Sequence, residues 1–133
     1  MGHIMLAILL SGVAATMTDW FFGGVLFHDK YLAYPEVWRW IGNKSAEVTA
    51  VGWSVVLGFV TCTAFILTYY AFHVHGYAAA VRLAFAVWLI APLPLLITNS
   101  LFIKMHPLTV VAHSLGWVVK LVLAGIAGAW LVS

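Results

Sequence analysis

The chain has 133 residues, of which 65% are hydrophobic and only 8% charged. A soluble domain keeps about 25% of its residues charged, so this chain has too little polar surface to face water all round, and its solvent is lipid. The net charge of +2 is small and spread along the sequence, which excludes nucleic acid as a partner. The lone Cys62 can form no internal disulfide and reads as a small apolar packing residue.

The first apolar stretch runs near Met5–Phe27. Its start resembles the apolar region of a signal peptide, but no Lys or Arg precedes it and the apolar run continues past any small-residue cleavage site, so it reads as a retained helix. One face carries Gly12, Ala15, Thr16 and Gly23, small side chains that let another helix approach closely.

A loop follows from His28 to Glu47. Within it, Tyr34–Gly42 has Pro at a helix start, Glu in the first turn, two Trp and a closing Gly, which predicts one short turn or helix lying flat in the headgroup layer. Ser45 is expected to cap the second span, with Glu47 in its first turn.

The remaining apolar stretches lie near Val48–Phe72, Tyr77–Phe102 and Leu108–Val132. All four are long enough to cross a core of about 30 Å at about 1.5 Å per residue. Pro92 and Pro94 predict a bend in the third, read first as a static one and second as a hinge. The links after the second and third stretches are only four or five residues long, which makes successive helices antiparallel neighbours. The expected fold is therefore an all-α membrane protein, residues 1–133 forming a single up-down-up-down bundle of four transmembrane helices. Lys30, Arg39, Lys44 and Lys104 lie on the side of the long loop, against Arg82 on the other. That bias predicts a cytoplasmic loop and two periplasmic termini in the cell inner membrane.

Most ionisable residues sit at helix ends. Asp19, His113 and Lys120 do not: they lie about 12, 7 and 18 Å inside their spans at 1.5 Å per residue. A lone charge there costs at least about 2.5–3.5 kcal/mol, and the cost falls when opposite charges meet in the bundle interior. His106, His113 and Lys120 recur every seven residues on one stripe of the fourth helix, with Trp117 beside them. The expected arrangement is a buried cluster of Asp19, His113 and Lys120, with Trp117 lining it and Asn99, Ser54 and Thr61 as further candidates. It admits two readings, an ion pair that fixes helix register or a proton-, ion- or ligand-binding site. His73 and His75 have no Asp, Glu or Cys near them in sequence, so no metal site is expected. A haem would need a second deep axial ligand opposite His113, and no cofactor is expected.

Two stretches carry a likeness to known sequences. One is Asp19-Trp20-Phe21 running to Phe27, with a Trp-containing segment that closes at Ile41-Gly42. The other is Asn99-Ser100-Leu101-Phe102, then a short basic link, Pro107 and a helix ending Gly125-Ile126-Ala127-Gly128-Ala129-Trp130. On these residues the chain resembles a family of small four-helix bacterial membrane proteins of unknown function. The chain lacks the proline that usually follows the aromatic pair in that family. The resemblance implies the four-helix topology and brings no activity.

The functional expectation is a small channel or carrier for a proton or small solute, homo-oligomeric because four helices enclose little volume. Two other readings stand beside it. One is a non-transporting subunit of a membrane complex, or a ligand- or lipid-binding protein with structural charges. The other is an intramembrane enzyme using Asp19 and His113 as acid and base, for which no further motif speaks.

Overall fold

The computed structural model describes residues 1–132, which are helical with no strand among them. Helix α1 (Gly2–Asp19) runs directly into a π-helical segment, Trp20–Leu26. There follow the short α2 (His28–Tyr31), a 3-10 turn at Pro35–Val37, α3 (Lys44–Ala71), α4 (Tyr77–Ile90), α5 (Pro92–Phe102) and α6 (Pro107–Leu131). Four helical stretches are long and apolar enough to cross a membrane: Gly2–Leu26, Lys44–Ala71, Tyr77–Phe102 and Pro107–Leu131.

Local chemistry explains where these helices start and stop. Asn43 has an extended backbone, and its side chain accepts a hydrogen bond from the Ala46 amide at 3.1 Å, satisfying one of the free donors at the start of α3. The cap is thus Asn43 rather than Ser45, which lies inside the first turn. At α6 the His106 ring nitrogen Nδ1 accepts from the Leu108 amide at 3.1 Å. Pro107, with no amide hydrogen to leave unpaired, takes the first helical position. The third span breaks where the prolines foretold. Neither Pro92 nor Pro94 can donate to the preceding turn, and Ala91 leaves helical geometry at φ −130°, ψ −63°.

The segment between the first two spans has the turn expected at Pro35, in its shorter form. Pro35 does start a turn, but only Pro35–Val37 is helical and the helix proper, α2, lies earlier at His28–Tyr31. Trp38 then takes an extended conformation and Gly42 a positive φ of 76°, so the chain turns instead of continuing a helix.

Helix α6 is the hub of the packing. It touches α1, α3, α4, α5, the π segment and α2, and a larger share of it is buried than of any other span. Small residues permit this. A side chain on Gly125 would come within 3.2 Å of the Ala80 carbonyl oxygen, and one on Gly128 within 3.3 Å of the Tyr69 ring. Ala7, Ala15, Cys62, Ile66, Ala84, Leu121 and Ala124 fill the core between the helices. The Trp88 indole N–H donates to the Ser114 carbonyl at 3.2 Å and ties α4 to α6. Elsewhere large apolar side chains point outward. Trp53, Leu57 and Ile90 are more than half exposed, as lipid-facing residues are.

Candidate functional site

On α1, Ser11, Ala15 and Asp19 recur every four residues, which sets Asp19 on the inward face. On α6, Gly116 and Lys120 are also four apart and face it. The Lys120 ammonium donates to Asp19 Oδ2 at 2.7 Å. The other carboxylate oxygen occupies the space that a side chain at position 116 would take, 3.2 Å from where its Cβ would lie. Gly116 is therefore what lets Asp19 approach α6. The Lys120 nitrogen also stands 5.0 Å from the centre of the Trp117 ring, within cation–π range. Pairing, an aromatic face and close packing together offset the cost of removing an ammonium from water.

The two partners differ in access. The Lys120 side chain is 8% exposed and that of Asp19 36%. Asp19 is also the last α-helical residue before the π-helical segment. A π-type widening is a costly conformation often found at functional sites, and here it sits against the acidic member of the pair.

Two turns before Lys120, toward the start of α6, lies a second polar contact. The Tyr31 hydroxyl and His113 Nε2 are 3.0 Å apart in a hydrogen bond, and the two rings meet edge to face with centres 5.5 Å apart. Gly23, one turn beyond Asp19, makes room for that hydroxyl: a Cβ there would lie 3.5 Å from it. Trp38 packs on the other side of Tyr31 with ring centres 5.1 Å apart. Burial, followed by the nearby Asp19 charge, pushes the Tyr31 phenol up to about 12. Tyr31 is therefore a neutral phenol across the physiological range.

Thr109, one turn before His113, is wholly buried, and its hydroxyl has no hydrogen-bond partner. Pairing of such groups is the rule in folded proteins. The polar residues of α6 thus form a column of Thr109, His113 and Lys120, with Tyr31 and Asp19 opposite.

Asp19, His113, Lys120 and Trp117 are the sequence candidates that this column contains. Asn99 is exposed on α5. Ser54 is exposed and donates to the Val51 carbonyl, and Thr61 donates to the Leu57 carbonyl, so both hydroxyls are spent on their own helix. Sequence reasoning missed Tyr31 and Gly116, and it placed Thr109 on the stripe without counting it among the candidates. Gly116 and Thr109 share the stripe of His113 and Lys120, a usable signal; Tyr31 lies in a loop, where periodicity says nothing. Among the described residues no group of three or more His, Cys, Asp or Glu is arranged to hold a metal ion.

Two recesses mark the surface. One, of about 400 Å³, is apolar and bounded by Met17, Trp20, Phe21, Phe22 and Val119; the other, of about 530 Å³, lies at Tyr34 and Ser100–Met105. Both open outward. No protein-family model matches the chain, and neither a curated protein nor a solved structure matches it. The likeness noted at Asp19–Gly42 and Asn99–Trp130 therefore assigns no family.

Proposed function

We propose that this is a proton-linked carrier or channel of the inner membrane, with its four spans in up-down-up-down order, both termini periplasmic and the His28–Asn43 segment at the cytoplasmic interface. The observation that carries the reading is the asymmetric Asp19–Lys120 pair. A pair serving only as glue is best packed from both sides, whereas here the carboxylate is left part-exposed beside a widened helix turn. Asp19 can take up and release a proton, with Lys120 holding the charged form in place between events. Four helices enclose little volume, so the rest of the path lies at an interface between copies of the chain.

Liposomes loaded with a pH-sensitive dye test this. Wild-type protein should dissipate a pH gradient, alone or with a small solute. The double substitution Asp19→Asn with Lys120→Met should abolish the flux while leaving the melting temperature in detergent near that of wild type. Wild-type liposomes no leakier than empty ones would overturn the proposal.

A second reading has its own support. Beyond the pair, toward the end of α6, the interior is mainly apolar, with Ala, Gly, Ile66, Leu121, Phe65, Cys62 and the ring of Tyr69, and the buried Ser11 hydroxyl donates to the Ala7 carbonyl at 2.7 Å. A dry half of this kind suits a non-transporting subunit or a lipid-binding protein, and lack of flux would favour it.

A further inference from the structure

We infer that Tyr31 and His113 form a proton relay between the aqueous side of the His28–Asn43 segment and the Asp19–Lys120 pair. This deepens the proton-linked reading and rests on it.

Tyr31 ends α2, a four-residue helix outside the membrane spans, in which Asp29 is exposed and Lys30 half-buried. Its hydroxyl nevertheless turns inward to His113 Nε2 at 3.0 Å. His113 stands three residues before Gly116, about 4.5 Å along the axis at 1.5 Å per residue, and Gly116 is where the Asp19 carboxylate rests. On the facing strand of the ladder, Gly23 admits the Tyr31 hydroxyl and Asp19 lies one turn further in. A phenol, an imidazole and a carboxylate thus succeed one another along a single groove between α6 and the first span.

The groups that face the imidazole are known from each side. Tyr31 comes from α2, Asp19 from α1 and Lys120 from α6 itself. Helix α5 carries no ionisable side chain, and on α4 Arg82 is exposed and bonded to the Ala78 carbonyl while Tyr77 lies at the far end; on α3 Lys44 and Glu47 lie in the first turn, Tyr70 is exposed, and the buried titratable side chains are Cys62 and Tyr69, of which Tyr69 packs beside Gly128 near the other end of α6. Of these groups Asp19 is the carboxylate, its Oδ1 resting at Gly116 three residues from His113, and it is the acceptor open to a proton leaving the imidazole.

The transfer balances without a net phenolate. With the Tyr31 O–H donating to Nε2, the neutral imidazole keeps its own proton on Nδ1. As Tyr31 passes its proton to Nε2, the phenol oxygen takes another from a hydronium ion on the aqueous side, which leaves as water. The imidazolium then releases the Nδ1 proton to Asp19 through one bridging water, and the ring returns to neutrality with its proton on Nε2. A ring flip, or the return of a proton in the other sense, resets the pair. Histidine suits the central position because its two nitrogens can accept and donate on opposite sides.

The experiment is an acid jump on the whole protein in lipid, with protonation of Asp19 followed by time-resolved infrared absorption. The Asp19 band is assigned by its loss in Asp19→Asn. Tyr31→Phe, which removes one oxygen, and His113→Gln should each slow protonation by about a hundredfold, the scale of a lost acid–base group, without changing its final extent. Two variants are used so that either one retaining the wild-type melting profile suffices. Wild-type rates in the folded variants would overturn the relay, as would an Asp19 that never protonates in wild type. Slowed protonation with no liposome flux would keep the relay and discard transport; flux with unaltered rates would do the reverse.

Discussion

The two halves of α6 solve the problem of packing in lipid by different means. From Pro107 to Lys120 the helix meets its neighbours through polar groups: His113 with Tyr31, Gly116 with the Asp19 carboxylate, Lys120 with Asp19. From Leu121 to Leu131 it meets them through closeness of backbone, Gly125 against Ala80 and Gly128 against Tyr69. Lipid tails are as apolar as a leucine side chain, so apolar contact between helices brings little hydrophobic gain, and association relies on close packing or on polar bonds. One half uses each. The difference teaches where change can be tolerated: the polar half should resist loss of charge and the apolar half gain of volume.

The largest expected effect comes from breaking the charge balance on one side alone. Asp19→Asn leaves the Lys120 ammonium buried without its anion. The cost should be about 3 kcal/mol, the low end for a stranded buried charge, because the Asp19 side chain is partly exposed. Adding Lys120→Met should restore most of that stability, since an uncharged pair of similar shape is often neutral. Thermal or denaturant unfolding in detergent measures both. A double variant no more stable than the single one would mean that the polar half is held by something other than charge.

Volume is the complementary probe. Gly125→Val places a branched side chain where even a Cβ is 3.2 Å from the Ala80 carbonyl oxygen. That atom is backbone and cannot swing aside, so the helices must separate, at about 1–3 kcal/mol for an overpacked core. The same unfolding measurement reads it. Wild-type stability in Gly125→Val would erase the distinction between the halves.

How much of this was legible in the sequence follows the same division. Apolar length alone marks the four spans, and the prolines mark the break at Ala91, because both act within one segment of chain. The Asp19–Lys120 approach is readable too: depth along a helix follows from its rise per residue, and opposite charges well inside their spans, within a long side chain's reach in depth, attract across a medium that cannot screen them. Depth without azimuth is a weaker guide. Asn99 has a suitable depth but is exposed, because the break at Ala91 interrupts the periodicity that would carry its direction from α4 into α5. Tyr31 was illegible for another reason. Its partner is 82 residues away in sequence, it lies outside every apolar period, and only the fold of the loop brings its hydroxyl to His113. The Asn43 cap shows the local limit, since Asn and Ser two positions apart have similar capping chemistry and backbone conformation alone decides between them.

The smallest expected effect lies at Thr109, and it sharpens what kind of polarity the first half of α6 contains. Thr109 is fully buried and its hydroxyl has no partner, unlike Ser11, Thr16 and Thr18, whose hydroxyls all donate to a carbonyl of their own helix. A buried hydroxyl with nothing to bond costs about 1–3 kcal/mol, and an apolar replacement of the same shape removes that cost. Valine differs from threonine by a methyl in place of the hydroxyl. If Thr109 is only a packing residue, Thr109→Val should raise stability by about 1 kcal/mol and leave the acid-jump rate of Asp19 unchanged. If its hydroxyl orders water at the outer end of the His113 column, the substitution should instead lower stability and slow protonation. The proton-linked reading expects the second result: one turn separates Thr109 from His113, and water reaching the relay must find a polar group at that depth. Stabilisation with unaltered kinetics would confine the working column to Tyr31, His113, Asp19 and Lys120.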